Sequence, residues 1–229
     1  EAHNRVLDLI SRGSPLAQVL EELVLSMERL SSGMMGSLLL LDEDGRRMRH
    51  GAAPSLPQAY WRAVDGLEIG PRVGSCGTAM FLGARVIVSD IASDPLWQDY
   101  RELALPYGLR ACWSMPVRSS AGGILGAFAM YYREPVAPGE RDLRLVEAGA
   151  ALATIAIERC RADREARESE ARLRAILDHA FSMVSLKDPQ GRYLLVNRRF
   201  ESATGISAGL AVGRTDRQLF ERPLAEAYA

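Results

Sequence analysis

The chain has 229 residues, 48% of them apolar and 25% charged, with a formal net charge of −1. That is enough apolar material for one or two packed domains, and the balanced charge argues against nucleic acid or anionic membrane surfaces as main partners. Cys76, Cys112 and Cys160 are odd in number and form no C-x-x-C, which speaks against a disulfide framework or a zinc site.

Val6, Leu7, Ile10, Leu16, Leu20, Leu23 and Met27 recur at helical spacing. Residues 2–31 are therefore predicted as amphipathic helix, interrupted at Ser14-Pro15, with Ser14 as N-cap and Pro15 in the first helical position. Residues 37–41 are a short apolar run, Asp42-Glu43-Asp44-Gly45 a turn, and residues 46–52 a returning strand, which together predict a hairpin. Another strand is predicted at 84–88, and Asp94-Pro95 opens a helix running to about Tyr107. Strands follow at 111–117 and 123–132, joined by Ser119-Ser120-Ala121-Gly122. In the second of them, alternation puts Ile124, Gly126, Phe128, Met130 and Tyr132 on one face. Leu125, Ala127, Ala129 and Tyr131 fall on the other, whose small residues leave room for close packing. A long helix is predicted over residues 138–180. The pattern is that of an α+β fold with helices against an antiparallel sheet.

No apolar run reaches the roughly 20 residues of a membrane helix, and no charged-apolar-small leader is present. The expected setting is cytoplasmic, with no membrane contact in this stretch and a membrane anchor outside it left open. There is no Ser-His-Asp constellation, no H-E-x-x-H and no phosphate loop, so the expectation is a non-enzymatic chain.

Several short strings combine into a family pattern. They are Gly74-Ser75-Cys76-Gly77-Thr78-Ala79, Val86-Ile87-Val88-Ser89-Asp90-Ile91, Asp94-Pro95-Leu96-Trp97, Gly108-Leu109-Arg110-Ala111-Cys112-Trp113, Gly126-Ala127-Phe128-Ala129 and Ile155-Ala156-Ile157-Glu158-Arg159. Together they resemble a GAF sensor domain, especially those of histidine kinases and cyclic-di-nucleotide signalling proteins. The resemblance implies a domain over residues 1–160. Its sheet would have about six antiparallel strands, with helices on one face and a small-molecule pocket on the other.

Candidate ligand-binding residues are Ser75, Cys76, Thr78, Asp90, Trp97, Tyr107, Arg110, Cys112 and Trp113. If Gly74 opens a helix, free amides there can hold an anion or a carbonyl; the plainer reading is a tight turn with ordinary capping. Trp97, Tyr107, Trp113 and Arg110 can wall an aromatic or carboxylate ligand, or the tryptophans can simply fill the core.

The ligand itself is not named by these residues. The segment from Asp90 to Trp97 lacks the Asn-Lys…Phe…Asp-Glu signature that cyclic-nucleotide GAF domains carry. Cys112 is followed by Trp113 rather than the histidine of bilin attachment, and His50 is a poor haem ligand at a strand end. A cysteine-dependent enzyme similar to free methionine sulfoxide reductase is the alternative, weakened because no matching nucleophile precedes the strand at Cys112. A pure dimerisation scaffold is a further alternative.

Residues 145–180 fit a heptad. One seam holds Leu145, Leu152, Arg159, Ala166, Leu173 and Ala180, and the other Ala148, Ile155, Ala162, Ser169 and Ile176. A parallel homodimer through this connector is expected, with a solvated single helix as the alternative. Beyond it, Val184-Ser185-Leu186-Lys187-Asp188, Gly191-Arg192-Tyr193-Leu194-Leu195-Val196-Asn197 and Gly213-Arg214-Thr215-Asp216 resemble the start of a PAS domain. Residues 181–229 would be its truncated N-terminal half, with two strands around Pro189-Gln190-Gly191, a helix begun at Asn197, and an effector downstream, most simply a histidine kinase, with a diguanylate cyclase/phosphodiesterase as the alternative.

Overall fold

The computed structural model describes residues 2–220, in two units, Glu1–Asp163 and Arg164–Ala229. The first opens with helices α1 (Ala2–Ser11) and α2 (Leu16–Glu28). Between them Gly13 takes a φ of 68°, a left-handed conformation that glycine adopts without strain. Pro15, not Ser14, is the N-cap of α2, and no side chain caps it; the Pro15 carbonyl accepts from the Gln18 and Val19 amides. Val19, Leu20, Leu23, Val24 and Met27 form the buried stripe of α2.

The hairpin β1 (Met35–Leu41) and β2 (Met48–Ala52) follows as predicted. In its turn, the Asp42 carboxylate accepts from the amides of Arg46 and Arg47 at 2.8 and 3.0 Å. Helix α3 (Gln58–Val64) was not foreseen: in seven residues, Tyr60 and Val64 are the only buried positions, too few to reveal a period. Helix α4 (Gly74–Leu82) and strand β3 (Val86–Val88) come next. The helix expected from Asp94 to Tyr107 is instead three short pieces: a 3-10 turn at Pro95–Trp97, α5 (Arg101–Ala104) and a 3-10 turn at Leu105–Tyr107. Pro106 has no amide hydrogen with which to continue the helix, so the bonding tightens into a 3-10 turn although Leu105 keeps α-helical dihedrals (φ −59°, ψ −37°). Asp94 is the N-cap as expected, accepting from the Leu96 amide at 2.8 Å.

Strands β4 (Ala111–Arg118) and β5 (Ile124–Tyr132) complete an antiparallel sheet of order β2-β1-β5-β4-β3. It has five strands rather than about six. Where a sixth would lie, beside β2, the chain makes only an isolated bridge between Arg47 and Glu68, with the Met48 amide donating to Leu67. Gly66, at φ 86°, and Pro71 bound this stretch and leave it too short for a strand.

Helix α6 (Glu140–Asp178) closes the first unit and runs on into the second. On one sheet face, α2 and the start of α6 enclose a core of Leu20, Leu23, Leu38, Trp113, Phe128, Met130, Val146, Ala153 and Ile157. The close approach depends on Gly149, where a Cβ would sit 2.6 Å from the Phe128 ring. The other face carries α3, α4 and the cap at 95–107, around Leu39, Met48, Tyr60, Met80, Trp97, Leu109, Cys112 and Tyr131. The predicted alternation in β5 holds from Ala127 to Tyr132, but Ile124 and Leu125 are exchanged. A bulge opposite Val117 and Arg118 inserts a residue and flips their side chains.

In the second unit, β6 (Ser185–Lys187) and β7 (Tyr193–Val196) pair antiparallel around the expected turn. There the Asp188 carboxylate accepts from the amides of Gln190 and Arg192. Three short helices follow, α7 (Arg198–Thr204), α8 (Ala208–Ala211) and α9 (Asp216–Leu219), around a small core of Tyr193, Val196, Phe200 and Ala211. Asn197 caps α7: its Oδ1 accepts from the Phe200 and Val184 amides while its Nδ2 donates to the Leu177 and Ser182 carbonyls. Residues 221–229, the last part of the segment compared with a PAS domain, lie outside the described residues.

Candidate functional site

The site lies on the sheet face opposite α6. Gly74 opens α4 with a φ of 55°, and its Cα side packs against the Trp97 ring, where a Cβ would meet ring carbons at 3.4 to 3.5 Å. Ser75, the next residue, is fully buried. Its hydroxyl accepts from Trp97 Nε1 at 3.1 Å and donates to the Cys112 carbonyl at 3.0 Å, tying the cap to the sheet through α4. Thr78, one turn further on, accepts from the Val73 amide at 3.1 Å and holds the turn into the helix.

Between α3, α4, the cap and the sheet lies a cavity with about 20 Å³ of room for the centre of a water-sized sphere. Such a volume accommodates about one water. Its walls are Met48, Tyr60, Val64, Leu67, Val73, Gly74, Ser75, Cys76, Trp97, Tyr100, Leu103 and Tyr131. Inside it the Tyr60 hydroxyl donates to the Tyr131 hydroxyl at 3.2 Å, and Tyr131 lies 3.6 Å from Cys76 Sγ. The Tyr60 ring is edge-on to those of Tyr131 and Tyr107. Burial pushes the Tyr60 and Tyr131 phenols well above their ordinary range, and it does the same to the Cys112 thiol, which the neighbouring Cys76 raises further.

Of the nine candidates, Ser75, Cys76 and Trp97 line the cavity. Cys112 packs in the same core, on the sheet beside Tyr131. Tyr107 stands behind Tyr60. Asp90 and Arg110 form an ion pair at 3.1 Å, about a third exposed and away from the cavity walls. The hydrogen bond from Arg110 holds the Asp90 carboxyl below its ordinary range. Trp113 projects from the other face of β4, its ring packed at a 41° tilt against Tyr132 with centroids 4.6 Å apart, and donates from Nε1 to the Val136 carbonyl. In a strand, neighbours such as Cys112 and Trp113 point to opposite faces, so one motif cannot bring both to one pocket.

Tyr60, Met48 and Tyr131 were absent from the sequence candidates. Tyr131 stood on the small-residue face of β5, a usable signal; Tyr60 sits on the unforeseen α3. His50 stacks on Trp61 at 4.0 Å and does not line the cavity. Among the described residues, no group of three or more His, Cys, Asp or Glu side chains is arranged to hold a metal ion. No helix among them is long and apolar enough to cross a membrane.

Comparison with known proteins agrees with this geometry. A domain of a protein described as a two-component sensor histidine kinase from Sinorhizobium meliloti 1021 superposes with a TM-score of 0.56 at 24% identity, over 67% of this chain and 98% of that one. Free methionine-R-sulfoxide reductase from Neisseria meningitidis has the same fold, with a TM-score of 0.56 at 16% identity, over 71% of this chain and 90% of that one. The methyl sulfide methyltransferase-associated sensor of Methanosarcina acetivorans is 39% identical over 207 residues, which is 90% of this chain. The chain spans 21% of that relative's length. The family model for the GAF domain matches residues 13–158, and the chain accordingly belongs to the GAF domain family.

Proposed function

We propose that this chain is the sensing and relaying part of a signalling protein, in which a small ligand in the cavity biases helix α6 and thereby an effector further along the polypeptide. The observation that carries this reading is the position of β5. One face of the strand presents Ala127, Ala129 and Tyr131 to the cavity core; the other presents Phe128 and Met130 to the core that holds Val146, Ala153 and Ile157 of α6. A shift of β5 by a ligand is felt at the helix seat, because close-packed interiors transmit strain. From Arg164 to Ile176 every residue of α6 is exposed, with no glycine or proline to absorb a rotation.

A signalling role suits a GAF domain with a relative named as a sensor. The effector we favour is a histidine kinase, in the cytoplasm. Residues 181–229 are read as the beginning of a PAS domain, a reading supported by the hairpin β6–β7 and the Asn197-capped helix behind it. The ligand acts only through its differential affinity for two states of the protein, for which about 1–3 kcal/mol of coupling is an ordinary scale.

The test is phase. Four residues inserted after Ala166 turn everything downstream by about 40° at 3.6 residues per turn, whereas seven turn it by only about 20° in the other sense and keep the heptad. In the whole protein, the four-residue insertion is expected to lock or abolish regulated output while the seven-residue insertion retains it. Equal regulation in both would make α6 a passive tether.

A further inference from the structure

Two of the three cysteines meet in the core under α4. Cys76 stands on α4 and Cys112 on β4, in the same cluster as Tyr60, Met80 and Tyr131. The two segments are clamped at this point, since Ser75, the residue before Cys76, donates to the Cys112 carbonyl at 3.0 Å. The thiols themselves hydrogen-bond to each other. A disulfide requires backbones in close approach and side chains that face each other, and this arrangement supplies both. Cys160 lies apart, on α6 against the core of the opposite sheet face.

Burial in apolar surroundings ordinarily makes a thiol inert. Cys112 follows that rule: burial drives its thiol well up, and Cys76 raises it further. Cys76 departs from it. The hydrogen bond from the Cys112 thiol, helped by others from Tyr131 and Ser114, outweighs burial and holds the Cys76 thiol below its ordinary range. These donors are directed. Tyr131 accepts from Tyr60, which leaves its own proton for Cys76 Sγ at 3.6 Å. The Ser114 hydroxyl is buried, has no other partner among the described residues, and faces the same sulfur. Donors converging on one sulfur favour the thiolate, the form that reacts with oxidants. Cys76 also has the way in: it lines the water-sized cavity and is 5% exposed, whereas Cys112 is 0% exposed.

We propose that Cys76 and Cys112 are a redox-active pair, in which hydrogen peroxide oxidises Cys76 and Cys112 captures it as a reversible disulfide. The Cys76 thiolate attacks one peroxide oxygen. The O–O bond breaks, the sulfur keeps one hydroxyl as a sulfenic acid, and the departing hydroxide becomes water with the proton that Cys76 released. The Cys112 sulfur then attacks Cys76. The S–O bond breaks, the S–S bond forms, and the second hydroxide leaves as water with the Cys112 proton. Two thiols are oxidised and one peroxide is reduced to two waters. Hydrogen peroxide, water with one further oxygen, needs no binding pocket beyond the opening to Cys76. A small-molecule dithiol reverses the bond by exchange. In a reducing compartment such a bond is transient and carries a signal rather than stability. Cys112 pairs with Tyr131 of β5, the strand whose other face seats α6, so the bond acts at the head of the relay. That role as input rests on the sensor reading; the chemistry of the pair does not.

The full chain is treated with hydrogen peroxide, the excess is removed with catalase, and remaining thiols are blocked with N-ethylmaleimide in urea. Mass spectrometry of the unreduced digest is expected to show a Cys76–Cys112 linked peptide that dithiothreitol removes. Cys160, whose thiol burial raises, is the internal control and is expected to be recovered blocked. In Cys112→Ser the sulfenic acid has no capturing thiol. Denaturing that variant in dimedone after peroxide is expected to label Cys76 about tenfold faster than Cys160. Circular dichroism checks that the variant keeps its fold. A linked peptide that forms only when peroxide is added to the unfolded chain, or Cys76 labelled no faster than Cys160, overturns the redox pair and leaves the sensor reading standing. If the link forms in the folded whole protein and regulated output is the same oxidised and reduced, the pair stands and its place as the sensor's input falls.

Discussion

Ser75 does two jobs with one hydroxyl, accepting from Trp97 and donating to the Cys112 carbonyl. Neither partner has water to fall back on, since Trp97 and Cys112 are buried as well. Ser75→Ala strands an indole N–H and a carbonyl, and is expected to cost roughly 1–3 kcal/mol. Urea unfolding followed by tryptophan fluorescence measures it; a cost near zero would mean that the two bonds contribute nothing net. In the second unit, Asp216 accepts from Lys187 Nζ at 2.6 Å and from the Tyr193 hydroxyl at 2.6 Å. Burial opposes its charge, but the hydrogen bonds from Lys187 and Tyr193 and the Lys187 charge outweigh burial and hold the carboxyl below its ordinary value. A carboxyl depressed in the folded state stabilises fully above its unfolded pKa of about 3.9, and that contribution is lost as pH falls through the lower folded value. Asp216→Asn is therefore expected to destabilise the second unit at neutral pH by roughly 1–3 kcal/mol, the scale for losing a charge-assisted hydrogen bond to a partly exposed partner. It should also remove part of the acid loss below about pH 4. Amide exchange of β6 and β7 in the full chain, measured across pH, reads both; an unchanged profile would rule out the ion pair as a support of the hairpin.

Helix α6 changes character along its length. Leu145 and Leu152, placed on the heptad seam from sequence, pack against the core under the sheet and are partly buried within the first unit. Ile155 is 47% exposed, Leu173 54% and Ile176 64%. The large apolar positions of the proposed seam that are left exposed for a second copy are therefore Ile155, Leu173 and Ile176, because apolar side chains left in water gain by being covered. Leu173→Glu with Ile176→Glu is expected to convert a dimer of the full chain to a monomer at tens of micromolar by light scattering, without lowering the melting temperature of the first unit. Leu152→Glu is a poor test of the same idea, since it also damages the core. A wild-type chain that is monomeric at that concentration would remove the dimer. Element boundaries followed the sequence where a long period or a clear turn marked them, as in α2, the β1–β2 hairpin and β5. They departed from it where the pieces are short. The cap at 95–107 breaks at Tyr100 and Pro106, and α3 has only two buried residues to signal its presence.

At the scale of the whole molecule, the sequence by itself determined the α+β class, the order of most elements, the long closing helix and the family. Each of these rests on periodicity, turn chemistry or residue strings that are local along the chain. It also named Ser75, Cys76 and Trp97, because a glycine-rich helix start and a capped cap segment are local features as well. Only the tertiary structure decided that Trp113 faces away, that Arg110 is taken by Asp90, and that Tyr60 and Tyr131 meet over 71 residues of separation to form the polar end of the cavity. The sheet is likewise a tertiary outcome: Gly66 and Pro71 leave the sixth position as a single bridge, and one bulge exchanges Ile124 with Leu125. The physical reason is the same in each case. A strand's alternation tells which residues share a face, but which face becomes the cavity, and which charges are already paired there, depends on partners far away in the chain that only close packing brings together.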